Sequence, residues 1–403
     1  MIYFDVLVLI ISYYSTNAYD AEIYMTTNEI IERWGYSMSI HTVTTNDGYI
    51  LEMHRISEGK NNSIWKNGRK PVVFMQHALL CSSSDWVINL PHQSAAFMFA
   101  DAGFDVWLGN SRGNVYSKKH RNLDPSSAEY WDFSWDEMAK YDLEAMINKV
   151  LKVTGESSIY YIGHSQGTLT MFSRLADDDG KRFAPKIRKL FALAPVMSVK
   201  NIKGLFRFIA QNMMSLLDAH YRAFGSGEFL AKNWISMGKY LCATFISKLC
   251  DSFIFVIAGP ESSQWNSTRV PVYVSQAPAG TSTKNILHWM QLVNNGRVAK
   301  FDYGAGKNLE KYGHVSPPAY NFSNIQGTRI HIYWSDSDYL ADSEDVTQYI
   351  LKSLNPDVLE ENIHLSGFNH LDFTWGLRAA DEIYKPIIQT CTDDYKNSIN
   401  IER

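Results

Sequence analysis

Cysteine is scarce in this sequence, with four in 403 residues, and none of the four forms a C-x-x-C pair. That argues against the thiolate spacing of a zinc site or a thioredoxin-type redox motif. Positive charge is also short: 38 Lys and Arg against 42 Asp and Glu leave a net charge of -4, and no long basic run occurs. Such a chain is not built to neutralise phosphates, which argues against nucleic acid as a partner class. Beyond the extreme N-terminus there is no abrupt apolar run, and none long enough to span a bilayer. With 45% hydrophobic and 20% charged residues, the composition is that of a globular chain, long enough for one large domain or a core with an insertion.

The first residues, MIYFDVLVLIISYYSTNAYD, carry an apolar run from Val6 to Tyr14 and then small residues ending at Ala18. The run has the length of a signal h-region, although the preceding residues lack Lys and Arg and include Asp5. Residues 1–18 are therefore read as a secretory signal, with a secreted or lysosomal destination. Asn61, Asn266 and Asn321 stand in Asn-x-Ser/Thr triplets, acceptors for glycosylation in an exported protein. Cys242 and Cys250 close a short loop that a disulfide would suit in an oxidising compartment.

The most informative stretch is IYYIGHSQGT. Ser158 to Ile162 reads as a buried strand, and Thr168 to Ala176 has apolar residues at helical spacing. Between them Gly163-His164-Ser165-Gln166-Gly167 fits Gly-x-Ser-x-Gly, the nucleophile elbow, whose glycines permit a strained and closely packed turn. The bare pattern would arise by chance in roughly one such chain in ten, so its strand–helix setting carries the argument.

A serine hydroxyl near neutral pH needs a base and an orienting acid. Arg329 to Ser335 reads as a strand ending in Asp336-Ser-Asp338, and Asn362 to Ser366 as another, followed by a loop with His370. Spacing leaves Asp336 and Asp338 open. His364 is the rival histidine but sits inside its strand, and His164, adjoining the serine, reads as structural. An oxyanion hole needs backbone N–H groups: one from Gln166, and one from Leu79 in the loop after the strand Pro71 to Met75.

VVFMQHALLCSSSDWVINLP, ADAGFDVWLGNSRGN, DEMAKYDLEA, YYIGHSQGT, APAGTSTKNILHWMQ and FNHLDFTWG appear in this order. In them the chain resembles the acid lipases, the group that includes gastric lipase and lysosomal acid lipase. The resemblance implies an α/β-hydrolase fold and hydrolysis of apolar lipid esters, triacylglycerols or cholesteryl esters, with no metal and no cofactor. It puts the nucleophile on Ser165 and the histidine on His370. Its acid falls in the DYLAD motif, on Asp338, and its oxyanion donors fall on Leu79 and Gln166. A cap disulfide falls on Cys242 and Cys250. Ala78 stands where the family usually has Gly, and Ala258 where it has a further cysteine.

The implied division is a signal over 1–18, core over 19–196 and 322–403, and a helical cap or lid over 197–321. Asn201 to His220 reads as a helix with a wide apolar face, suited equally to core packing and to covering a lipid pocket. Gly204 and Gly259 bound a segment able to move. Asp136 to Lys152 reads as a crossover helix with Met138, Tyr141, Ala145 and Val153 on one face. LGNSRGN, with Arg112, and Trp107, Trp131 and Trp135 read as structural. The other readings are a lipid-binding protein on the same fold and a short-chain carboxylesterase; oligomeric state is not legible.

Overall fold

The apolar runs of the sequence become the middle of one sheet. The computed structural model describes residues 20–61, 65, 69–230 and 256–401; the signal read over 1–18 and the Cys242/Cys250 disulfide lie outside them. The strands are β1 (Met38–Thr44), β2 (Tyr49–Ile56), β3 (Val72–Gln76), β4 (Asp105–Leu108), β5 (Lys119–His120), β6 (Ile159–His164), β7 (Ile187–Leu193), β8 (Glu228–Phe229), β9 (Thr281–Ser282), β10 (Arg329–Trp334) and β11 (Leu359–His364). The main sheet runs β1-β2-β4-β3-β6-β7-β10-β11, with β5 on β2 and a separate β8–β9 pair. Pairing is antiparallel from β1 to β4 and parallel from β4 through β11. Every residue of β3, β4 and β6 is buried, as expected of parallel strands covered on both faces.

Helices α1 (Leu143–Thr154) and α2 (Gln166–Ala176) flank β6. Helix α3 (Gly204–Phe224) and helix α4 (Thr283–Asn295) lie in the long excursion between β7 and β10. The crossover helix forms, but its buried face differs from the reading. A π-turn over Met138–Asp142 precedes α1 and adds a residue to the turn, rotating the remainder of the helix by about 100°. The buried face is Leu143, Met146, Ile147 and Val150, while Val153 is exposed. Helix α3 starts three residues and ends four residues later than the spacing suggests; it opens on Gly204 and stops before Gly225, both at positive φ. Trp107, Trp131 and Trp135 are buried in the core, as read. Because β3, β6, β10 and β11 are parallel, their carboxyl ends share one sheet edge, and the residues singled out in the sequence collect there.

Candidate active site

Ser165 links β6 to α2 with φ 52° and ψ -114°, a conformation side chains disfavour. The turn is that tight because its neighbours are glycines. A Cβ on Gly163 would come 2.9 Å from the Gly167 backbone, and one on Gly167 2.5 Å from the Gln76 carbonyl oxygen. The Ser165 N–H donates to Leu193 O at the end of β7 (3.0 Å), and Thr168 Oγ1 donates to Ser165 O (2.7 Å). These bonds hold the strain in place. The Ser165 hydroxyl has no hydrogen-bond partner among the described residues, which suits a group whose catalytic bond tightens in the substrate complex.

Both acidic alternatives pair with a histidine, but in different surroundings. Asp336 meets His364 at 3.2 Å with both side chains about half exposed, the setting in which an ion pair contributes little. Asp338 and His370 are buried, and both carboxylate oxygens lie 2.9 Å from His370 Nδ1. Asp338 Oδ1 also accepts the N–H groups of Leu340 and Ala341 at 2.8 Å. That loop fixes the carboxylate, which fixes the Nδ1–H tautomer and leaves Nε2 as the free basic nitrogen.

On the other side of the elbow lies the loop after β3. Neither the Leu79 nor the Gln166 N–H is engaged by an acceptor among the described residues. His77, fully buried, holds this loop. Its Nδ1 pairs with Ala78 O (2.8 Å), and its Nε2 accepts from Ser111 N–H (3.1 Å) and Asn114 Nδ2 (3.3 Å). Burial pushes its pKa down to about 4, so it stays neutral. Ala78, standing in place of the family's glycine, has no positive φ; the strained residue is Leu80, at φ 62°. Alanine at this position is therefore not forced into the left-handed region, because the turn is made two residues later. Leu80 O accepts Ala279 N–H (2.5 Å), which fastens the loop to the excursion between β7 and β10.

Two contacts had no signal strong enough to find in the sequence. His164, read as structural, is buried and touches the candidate base: its Nε2 lies 2.9 Å from His370 O, and the two rings are 5.0 Å apart. Desolvation, aided by His370, holds its pKa well below the usual histidine range, so Nε2 carries the proton it donates. The side chain of Gln166 is gripped by α4: its Oε1 accepts from Asn285 Nδ2 (2.9 Å) and Trp289 Nε1 (2.8 Å). Asn285 and Trp289 stand four apart on one helix face, but nothing in the sequence says what that face meets.

Arg112 of LGNSRGN is structural, as read. It is buried over Tyr49, with Nε on Asp142 (2.7 Å) and Nη1 on Asp47 (2.6 Å). The glycosylation acceptors lie at the surface: Asn61 and Asn321 are exposed and Asn266 is half-buried. Among the described residues no cluster could hold a metal ion, and no helix is long and apolar enough to cross a membrane.

Residues 27–90 match the partial α/β-hydrolase lipase region, and residues 71–377 match the α/β hydrolase fold. The chain is 60% identical over 380 residues to Lipase lipl-5 of Caenorhabditis elegans, covering 93% of this chain and 94% of that protein. It is 40% identical over 386 residues to gastric triacylglycerol lipase of Bos taurus, covering 94% of each. Among solved structures, an epoxide hydrolase variant from Solanum tuberosum aligns with a TM-score of 0.51 at 14% identity, covering 89% of this chain and all of that one. That last likeness speaks for the fold alone.

Proposed function

Since the chain belongs to the lipases of the α/β-hydrolase fold, the family of the gastric triacylglycerol lipases, we propose that it hydrolyses apolar lipid esters through Ser165, His370 and Asp338. Ser165 Oγ attacks the ester carbonyl as His370 Nε2 takes its proton, then returns it to the departing alcohol. Asp338 holds the imidazole in register and balances its charge. The N–H groups of Leu79 and Gln166 receive the oxyanion, the latter aided by the N-terminus of α2. Water attacks the acyl-enzyme and the cycle closes. The observation that carries this reading is the buried Asp338–His370 pair on the same sheet edge as Ser165, whose backbone is strained and whose hydroxyl has no partner among the described residues.

Residues 197–321 serve as a cap over the lipid. Supporting this, α3 buries only Ala210 and exposes Phe208, Met213, Leu216 and Phe224, apolar side chains fit to meet a lipid–water interface. The protein acts after export, in a secreted or lysosomal setting, on triacylglycerols or cholesteryl esters.

The test is hydrolysis of p-nitrophenyl esters from two to sixteen carbons, with Ser165→Ala alongside. Turnover favouring long chains and lost in the variant supports the proposal. Activity confined to short chains would make the protein a carboxylesterase, and none from the folded protein would favour a lipid binder.

A further inference from the structure

The excursion between β7 and β10 does more than cover the sheet edge. Residues 258–265 cross both loops on which the acid and the histidine stand. The carbonyl oxygen of Ala258 accepts two N–H groups at once: that of His370 (3.0 Å) and that of Tyr339 (3.3 Å), the residue after Asp338. One buried acceptor thus ties the backbone of the base to that of its acid partner.

The next residue makes the fit tight. Gly259 has φ +127°, and a Cβ there would overlap the Ser337 carbonyl oxygen of the acid loop and come 3.2 Å from Asn369 Cβ of the histidine loop. It is wedged where the two loops meet. Further along, Asn369 Nδ2 donates to Pro260 O (3.3 Å), and Gln264 Nε2 donates to Gly367 O (3.2 Å). Trp265 Nε1 donates to Asp372 Oδ1 (3.0 Å), whose other oxygen accepts Asn369 N–H (2.7 Å). The exposed Asp336–His364 pair is held differently, by direct β10–β11 pairing at Trp334 and His364 and by Gly367 N–H on Asp336 Oδ1 (3.4 Å), without the strap.

We infer that residues 258–265 are a positioning strap for the acid–histidine pair, setting the distance between Asp338 and His370 through the shared Ala258 carbonyl and the glycine wedge. The strap's hydrogen bonds reach the backbone and neighbours of the pair, not the Asp338 carboxylate or the His370 ring, so its effect runs through their position. This rests on the assignment of Asp338 and His370 made above. Proton transfer tolerates little error: displacements of about 1 Å can cost on the order of a hundredfold in rate.

The test is a double-mutant cycle on the full-length protein with a p-nitrophenyl ester. Gly259→Ala is expected to lower kcat about 10–100-fold with KM changed less than about threefold. In an Asp338→Ala background the same substitution is expected to lower the residual kcat less than about threefold, since the pair it positions is gone. Equal losses in both backgrounds, or no loss in the first, would overturn the inference. If Gly259→Ala does not accumulate as folded protein, Gln264→Ala takes its place, with about a three- to tenfold loss expected only while Asp338 is present; an additive loss counts against the strap. Ser165→Ala run in parallel separates the two claims. Full activity in that variant sinks the catalytic assignment, whereas its inactivity beside an additive cycle sinks the strap alone.

Discussion

Asp85 offers a quantitative test of how the loop after β3 is built. Its carboxyl is buried, and both oxygens lack a hydrogen-bond partner among the described residues. Burial pushes its pKa up from 3.8 to about 7, against the lowering pull of the nearby Cys81 thiol and Ala78 backbone, neither of which reaches hydrogen-bond geometry. The charged groups that could disturb this are few. Cys81 and Tyr384 beside it are themselves pushed upward by burial and stay neutral from pH 5 to pH 8.

A carboxyl raised on folding contributes stability that is present at low pH and is lost as pH rises through the folded value. Moving it from 3.8 to about 7 amounts to about 4 kcal/mol once it is fully ionised, and about 2–3 kcal/mol of that develops between pH 5 and pH 8. Asp85→Asn removes the titration while keeping the shape. For 403 residues the unfolding entropy is roughly 0.8 kcal/mol per degree, so the variant should gain about 3 °C in Tm over the parent between pH 5 and pH 8. Differential scanning fluorimetry across that range reads the gap. A gap independent of pH, or one that widens toward pH 5, would refute the burial argument.

Other expectations are simpler. Arg112→Ala strands Asp142, whose own carboxyl burial already raises to about 6, and should cost about 3–5 kcal/mol in chemical denaturation, as an uncompensated buried charge does. Trp289→Phe removes one of the two donors to Gln166 Oε1; a loss of about 1 kcal/mol in stability and a few-fold fall in kcat/KM are expected, from denaturant titration and steady-state kinetics. Asp336→Ala should leave kcat within about twofold, while Asp338→Ala should lower it on the order of 10²–10⁴-fold. Comparable losses in the two would undo the distinction between the exposed and the buried pair.

Most of the sheet edge was legible because β3, β6 and β10 are short, apolar and punctuated. Strand β11 (LEENIH) is largely polar and exposed, and it runs over Leu359–His364 rather than the Asn362–Ser366 read from the sequence. The SIYYI run became β6, RIHIYWS became β10, and the residues with chemistry followed each strand end. The choice between Asp336 and Asp338 was not readable from spacing, since both sit just past β10, and only burial separates them. The face of α1 was misread because a π-turn leaves no mark in composition. The resemblance expects a glycine where Ala78 stands, but the positive φ lies at Leu80 instead, and φ cannot be read from a residue name. The grips of His164, Ala258 and Trp289 on the site join parts of the chain between 80 and more than 200 residues apart. Contacts of that separation depend on how the excursion folds back, which no local pattern encodes.

The central claim is that Ser165 is the nucleophile, and active-site labelling tests it most directly. The protein would be treated with a long-chain alkyl fluorophosphonate, digested and mapped by mass spectrometry while residual esterase activity is followed. The account predicts one adduct, on the peptide holding Ser165, forming in step with the loss of activity and absent from Ser165→Ala. Inactivation accompanied by an adduct elsewhere, or full activity after Ser165 is modified, would contradict it.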